Sequence, residues 1–406
     1  MLRRPPGSSL SGPLAGPLAK PLAVLAACAL VLLPAAAPAS ADAAEIRKEQ
    51  RWVFDALNVE KAWESTKGAG VTVALLDTKV QPSLKELKGR LTEGPDLSGF
   101  VFGDLESPVG AHGTRMASLI AGSGRDGALS GVAPEARLLS IPVTVEVTGR
   151  MMPPGLGVED SAMARAIRYA VNHGATVIAV PGGRYGAQRL DSDSVAYALS
   201  RGVPVVAAVG DDGASESSRS TGTSYWRFPA GYTGVVGVGA VDKSGAVAEF
   251  SSDNLSVLVT APGVEVPAAR PGGGYDKVSS TDASAALVAG VVALIKAKHP
   301  TLRPELISRA LTSTARGRLE SGYDDRSGFG VVDAAAALDR AATLAAYRDG
   351  VPVDKEYRFG DQPPSQGPSR PGPDPFRMWA YGVGVALGLV AFSGALIILM
   401  RRTDRR

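Results

Sequence analysis

Three short segments hold the side chains best suited to acid–base or nucleophilic work. They are VALLDTKV with Asp77, HGTRMASLIAG with His112, and SSTDASAALVAGVVALIKAKHP with Asp282. A fourth, VPVVAAVGDDG, adds Asp211. A His among carboxylates is the common general-base arrangement, because nearby negative charge raises the imidazole pKa. Three carboxylates and one His are also donor types of a metal site, although nothing in the spacing selects that reading. A carboxylate pair that activates water is a third possibility. Asp282 has a plainer reading as well. It stands where an apolar helix begins, where Asp is a preferred N-cap and suits the positive end of the helix dipole. His173 and His299 fall at the ends of predicted helices and read as surface residues without a chemical role.

The segments between these residues predict the frame that positions them. VTVALLD (71–77), ARLLSIPV (136–143), ATVIAVPG (175–182), VPVVAAVG (203–210) and GVVGVGAVD (234–242) are continuous apolar runs of strand length. GTRMASLIAG (113–122), SAMARAIRYAVNHG (161–174) and SVAYALSRG (194–202) alternate with them and carry helical spacing. Gly174 supplies a helix stop. Apolar strands between amphipathic helices predict an α/β fold, with a mostly parallel sheet covered on both faces. Such sheets bind ligands beyond the carboxyl ends of their strands. Asp77 and Asp211 both fall there.

The ends of the chain read differently. Residues 1–41 have a basic start at Arg3, Arg4 and Lys20, the apolar run AVLAACALVLL, and the small residues Ala39, Ser40 and Ala41. This is the pattern of a signal peptide. Leu25-Ala26-Ala27-Cys28 also fits a lipoprotein cleavage site, but the apolar run continues past it. Cys28 is the only Cys of the chain. A mature protein cut after Ala41 would have neither disulfide nor thiolate chemistry. Residues 42–65 form an N-terminal extension, 66–345 the main domain, and 346–376 a Pro-rich linker that includes DQPPSQGPSRPGPDP. WAYGVGVALGLVAFSGALIILM lies within a predicted membrane helix, 377–400, with Trp379 and Tyr381 at one end and the basic tail 401–406 at the other. Its length suits a bilayer, and the arginines favour a cytoplasmic tail. Gly384 and Gly388 share a helix face and offer a weak seat for a partner helix.

The formal net charge is +3. The first 41 residues carry three bases and no acid, and the last six carry four Arg and one Asp. Everything between is therefore net acidic, and the basic isoelectric point is no argument for nucleic-acid binding.

Read together, the Asp, the His and the helix-opening Asp282 resemble, in that chain order, the subtilisin-like serine proteases. The resemblance spans roughly residues 50–340. It includes GVAPEARLLSIPV (131–143), FPAGYTGVVGVGAVDKSGAVAEFSS (228–252) and APGVEV (261–266). QRWVFDALNVEKAW (50–63), the Pro-rich stalk and the C-terminal span are similar to the mycosins, membrane-anchored members associated with type VII secretion.

The resemblance implies that Asp77 orients the His and that His112 is the general base. It also implies losses. The family's G-T-S-x-A-x-P pattern falls on Ser280, Thr281, Asp282, Ala283, Ser284, Ala285 and Ala286. Asp282 takes the place of the nucleophilic Ser. Asp211 takes the place of the oxyanion Asn, although sedolisins use an Asp there while keeping their Ser. Lys79 replaces a Gly and either pairs with a site carboxylate or is a solvated turn residue. Pro181-Gly182-Gly183 replaces the S-L-G segment that pairs with substrate. Ser284 lies a two-residue helical step from Asp282 and should face away from His112. Ser280 lies nearer but precedes the helix.

The expectation is a membrane-anchored, catalytically inactive homologue serving a type VII secretion membrane assembly, with no cofactor or metal. The alternatives are an active endopeptidase with a non-standard site, and a metal- or peptide-binding ectodomain.

Overall fold

Alternating apolar runs assemble into one parallel sheet in the first of two compact units, Met1–Tyr347; the second is Arg348–Arg406. A computed structural model describes residues 39–99, 110–147, 150–152, 161–317, 322–346 and 375–403. Residues 1–38 with Cys28, and the linker residues 347–374, lie outside the described residues.

The first strands are β1 (Thr72–Asp77), β2 (Leu91–Glu93), β3 (Arg137–Pro142), β4 (Val145–Val147) and β5 (Arg150–Met152). Next come β6 (Val177–Val180), β7 (Arg184–Tyr185), β8 (Val205–Ala208) and β9 (Arg227–Phe228). The last are β10 (Val236–Val241), β11 (Val259–Pro262), β12 (Val266–Ala269) and β13 (Tyr275–Val278). The main sheet has the order β11-β10-β8-β6-β1-β3-β2 and all of its pairings are parallel. From β1 the chain builds first toward β3 and then, on the other side, toward β6. The strand order therefore reverses beside β1, which places a ligand crevice at its carboxyl end.

Along β1, Val73 and Leu75 join one buried cluster, and Ala74 and Leu76 join the other. β6 and β8 divide in the same way. Both faces are covered, so the strands read as unbroken apolar runs rather than alternating ones. Helices α1 (Ala39–Leu57), α2 (Val59–Trp63) and α3 (Ala111–Ala121) open the unit. They are followed by α4 (Ala162–Asn172), α5 (Arg189–Ser200) and α6 (Glu216–Thr221). The unit closes with α7 (Thr281–Lys298), α8 (Pro304–Thr314) and α9 (Ala334–Ala346). α3 and α7 cover one face, while α4 and α5 cover the other. Apolar over most of its length, α7 is buried from Ala283 to Lys296. Lys296, near its far end, donates to the carbonyls of Gly202, Pro300 and Leu302, which satisfies a charge with little access to water.

The predicted helices and strands are present, with two shifts. α5 begins at Arg189 rather than Ser194. Ala39, Ser40 and Ala41 begin α1. Helices α1 and α2 contribute side chains to the core. Val53, Leu57, Val59 and Ala62 are buried with α3 and α7. Trp63 Nε1 donates to Val132 O at 2.8 Å, and the Gln50 side chain exchanges hydrogen bonds with the Ser130 backbone.

The second unit contains α10 (Pro375–Thr403). Residues Met378–Ile398 are long and apolar enough to cross a membrane, with mean hydropathy 2.1.

Candidate active site

Asp77 is the last residue of β1 and is buried. Its Oδ1 accepts from the Thr78 N–H at 2.6 Å, which fixes the carboxylate in the strand-end turn. His112 is the second residue of α3. The first turn of this helix lies directly against Thr78. Gly113 N donates to Thr78 Oγ1 at 2.9 Å, and a Cβ on Gly113 would collide with Thr78 O. Glycine at that position is what lets His112 reach Asp77. His112 Nδ1 lies 2.9 Å from both Asp77 carboxylate oxygens.

The other imidazole nitrogen is also engaged. His112 Nε2 lies 3.0 Å from Asp282 Oδ2. Both nitrogens face carboxylate acceptors, so each must donate a proton. The species that does so is the imidazolium. Burial works against its charge. The field of Asp77 and the hydrogen bonds to Asp282 and Asp77 outweigh that penalty and hold the pKa well above the ordinary 6.5. The sequence leaves open whether Asp211 joins Asp77 and Asp282 in this cluster. In the structure the Asp211 carboxylate is turned to Thr281, and the main raising causes on His112 are Asp77 and Asp282.

Asp211 serves the start of α7. Its Oδ1 accepts from Thr281 N at 2.8 Å and from Thr281 Oγ1 at 2.7 Å. Thr281 Oγ1 in turn accepts from Gly210 N. Burial and the nearby charge of Asp282 raise the Asp211 pKa, against the lowering effect of the Thr281 and Ser280 bonds. As a carboxylate, Asp211 offers acceptors where the resemblance implies an oxyanion donor.

The helix cap also differs from expectation. Ser280, not Asp282, is the N-cap of α7, and its hydroxyl accepts from Asp282 N at 2.9 Å. That frees the Asp282 carboxylate to face His112 from the second helical position. Ser284 turns away as the helical step predicts, its buried hydroxyl donating to Ala261 O and Pro262 O. Lys79 pairs with Glu93 at 3.6 Å. His173 is exposed and stacks on Tyr169, while His299 is the C-cap residue of α7.

One contributor escaped the sequence reading. Glu146, on β4, accepts from the His112 N–H at 2.8 Å. Gly110, the N-cap of α3, has no side chain to do this, so Glu146 caps the helix from another element. No motif marks it, because only the return of the chain after β3 brings it close.

Asp77 and Asp282 grip opposite nitrogens of one ring, so their oxygens do not converge on a common point. Among the described residues, no group of three or more His, Cys, Asp or Glu is placed to hold a metal ion.

The subtilase family profile, Peptidase_S8, matches residues 68–330. The chain is a subtilase. It is 30% identical over 322 residues to fervidolysin of Fervidobacterium pennivorans, covering 73% of this chain and 45% of fervidolysin. This subtilase thus spans less than half the length of that relative. It is 34% identical to subtilisin DY of Bacillus licheniformis over 273 residues, covering 67% of this chain and 92% of the relative. Among solved structures, the MycP3 protease from the type VII (ESX-3) secretion system superposes with a TM-score of 0.58. That match is 31% identical and covers 71% of this chain and 87% of MycP3. The fold is thus shared with a keratinolytic enzyme and with a protease of a type VII secretion system, and both are similar to this chain.

Proposed function

We propose that this subtilase is a catalytically inactive, membrane-anchored component of a type VII secretion assembly. One observation carries the inactive reading: the Asp282 carboxylate occupies His112 Nε2. A general base needs that nitrogen free to take a proton from a nucleophile. Here it donates to the Asp282 carboxylate. Loss of the nucleophile from a triad of this type costs about 10⁶-fold in turnover. Asp211 adds to the loss, because an acceptor at an oxyanion position repels developing negative charge. The similarity to MycP3 and to MycP1 of the ESX-1 system supports the secretion role. α10 and the basic tail 401–406 support a single membrane anchor with the subtilase unit outside.

The test is peptide-library hydrolysis by the full chain in detergent, comparing wild type, His112→Ala and the double variant D282S/D211N. No cleavage by wild type, and cleavage only by the double variant, is the expected result. Wild-type cleavage that disappears in His112→Ala would instead mean an active endopeptidase with an unrecognised nucleophile. The secretion role is tested separately. Co-purification with type VII membrane components should survive His112→Ala and Asp282→Ala.

A further inference from the structure

The sheet has two ends, and the candidate site stands at one of them. Asp77 closes the carboxyl end of β1. Helices α4 and α5 run back beside the strands and stop just before β6 and β8 begin, so their last turns lie at the amino ends. Helix α7 ends at the same edge, because Lys296 donates to Gly202 O. Three cations gather there: Arg168 on α4, Arg201 at the C-cap of α5 and Lys298 in the last turn of α7. All three are exposed, and among the described residues none of them pairs with an acid. Asp193 is paired with Arg189, and Glu305 with Arg303.

Tyr197 organises two of the three. Arg168 and Arg201 place their guanidinium carbons 5.0 Å and 5.2 Å from its ring centre. Tyr197 Oη donates to Asn172 Oδ1 at 2.7 Å, which fixes the ring. Cations at helix C-termini offset the helix dipole, and that accounts for Lys298 and in part for Arg201. It does not account for Arg168, a turn before the end of α4, nor for two like charges drawn onto one ring. Residues 161–202 hold five arginines against two aspartates, one of them the buried Asp191, although the chain between residues 42 and 400 is net acidic. Arginines held in place this way bind phosphate through forked hydrogen bonds. A protein interface needs an apolar centre. The last turns of α4, α5 and α7 expose no large apolar side chain among the described residues.

We propose that this basic edge, with Arg168, Arg201 and Lys298, rests on anionic phospholipid headgroups of the bilayer that α10 enters, and that the candidate site faces away from the membrane. Resting on the anchor proposed above, the contact needs little intrinsic affinity. A tether keeps the unit at high local concentration, so each basic side chain need add only about fivefold. The edge lies across the sheet from His112, so the contact does not depend on whether His112 is catalytically competent.

The test uses the full chain in nanodiscs of POPC alone or of POPC with POPG. Size exclusion first reads incorporation. A chain that stays out of POPC discs removes the anchor, and this contact with it. The incorporated chain is then treated with phenylglyoxal, which modifies accessible arginines, and with an acetylating reagent for lysines. Arg168, Arg201 and Lys298 should react at least about threefold more slowly in POPG discs, and high salt should abolish the difference. Arg189, exposed at the other end of α5, should react equally in both. The variant R168Q/R201Q changes exposed side chains alone. It should incorporate and melt as wild type does, and lose the protection of Lys298. Equal rates in the two discs would overturn the contact and leave the anchor standing. So would retained Lys298 protection in the variant, or equal slowing at Arg189, which would mean crowding rather than a directed face. Protection by soluble hexaglutamate and not by POPG would overturn it in favour of an acidic protein surface.

Discussion

Asp282 Oδ2 sits 3.0 Å from His112 Nε2, the nitrogen a general base must keep free. Asp77 holds the opposite nitrogen at 2.9 Å. The ring is therefore a cation clamped between two anions, and several measurable properties follow from that.

The first is its titration. By NMR, the His112 imidazole should titrate well above the ordinary 6.5. Asp282→Asn and Asp77→Asn should each lower the midpoint, Asp77→Asn by more, because the field of Asp77 is the largest raising cause. A wild-type midpoint at or below 6.5 would remove the clamp.

The second is stability against pH. The folded pKa of His112 is raised, so its contribution is complete below the unfolded value near 6.5. It fades as pH rises through the folded pKa. Urea midpoints of wild type and His112→Ala should therefore differ most near pH 6 and converge in alkali. At pH 6 the substitution should cost about 3 kcal/mol, the lower end for breaking a buried ion pair, since Asp282 keeps some contact with water.

The serines give a chemical check. Ser280 is a helix cap, and Ser284 is bonded to carbonyls on the far side of the helix start. A fluorophosphonate probe, which labels activated serines, should leave wild type unlabelled and label D282S/D211N. Ser280→Ala should cost roughly 1 kcal/mol through the lost cap and should not alter labelling.

Glu146 makes a further prediction. It caps α3 from β4, so Glu146→Ala should destabilise the protein by about 1 kcal/mol, as a lost cap does. The His112 amide should lose hydrogen-exchange protection in that variant, while the amides late in α3 keep theirs. Equal loss along the whole helix would point to a general structural role instead.

Much of the frame was legible because a parallel sheet buried on both faces leaves unbroken apolar strands. Val73 to Leu76 and Val177 to Val180 signal themselves without any partner. The short pairs β4–β5, β7–β9 and β12–β13 were not legible. Their strands are two to four residues long. Too few residues show a period there, and pairing depends on where the larger elements carry them. The site divided in a similar way. Asp77, His112 and Asp282 follow from motif order. The choice of cap between Ser280 and Asp282 does not, because both residue types cap well. The backbone decides it: Ser280 is extended, at φ −171° and ψ 151°, so the helix begins after it. Asp211 was placed at the correct loop, but its direction came only from the contact with Thr281.

Helix α7 begins at the candidate site and runs buried through the centre of the unit to the carbonyl cage of Lys296. The segment most identified with proteolysis in a subtilase is thus also its central strut. Natural selection acting on folding alone would keep α7 in place after chemistry had ceased to matter. A substitution at the second residue of α7 can then change the chemistry at this end while the buried part of the helix stays as it is.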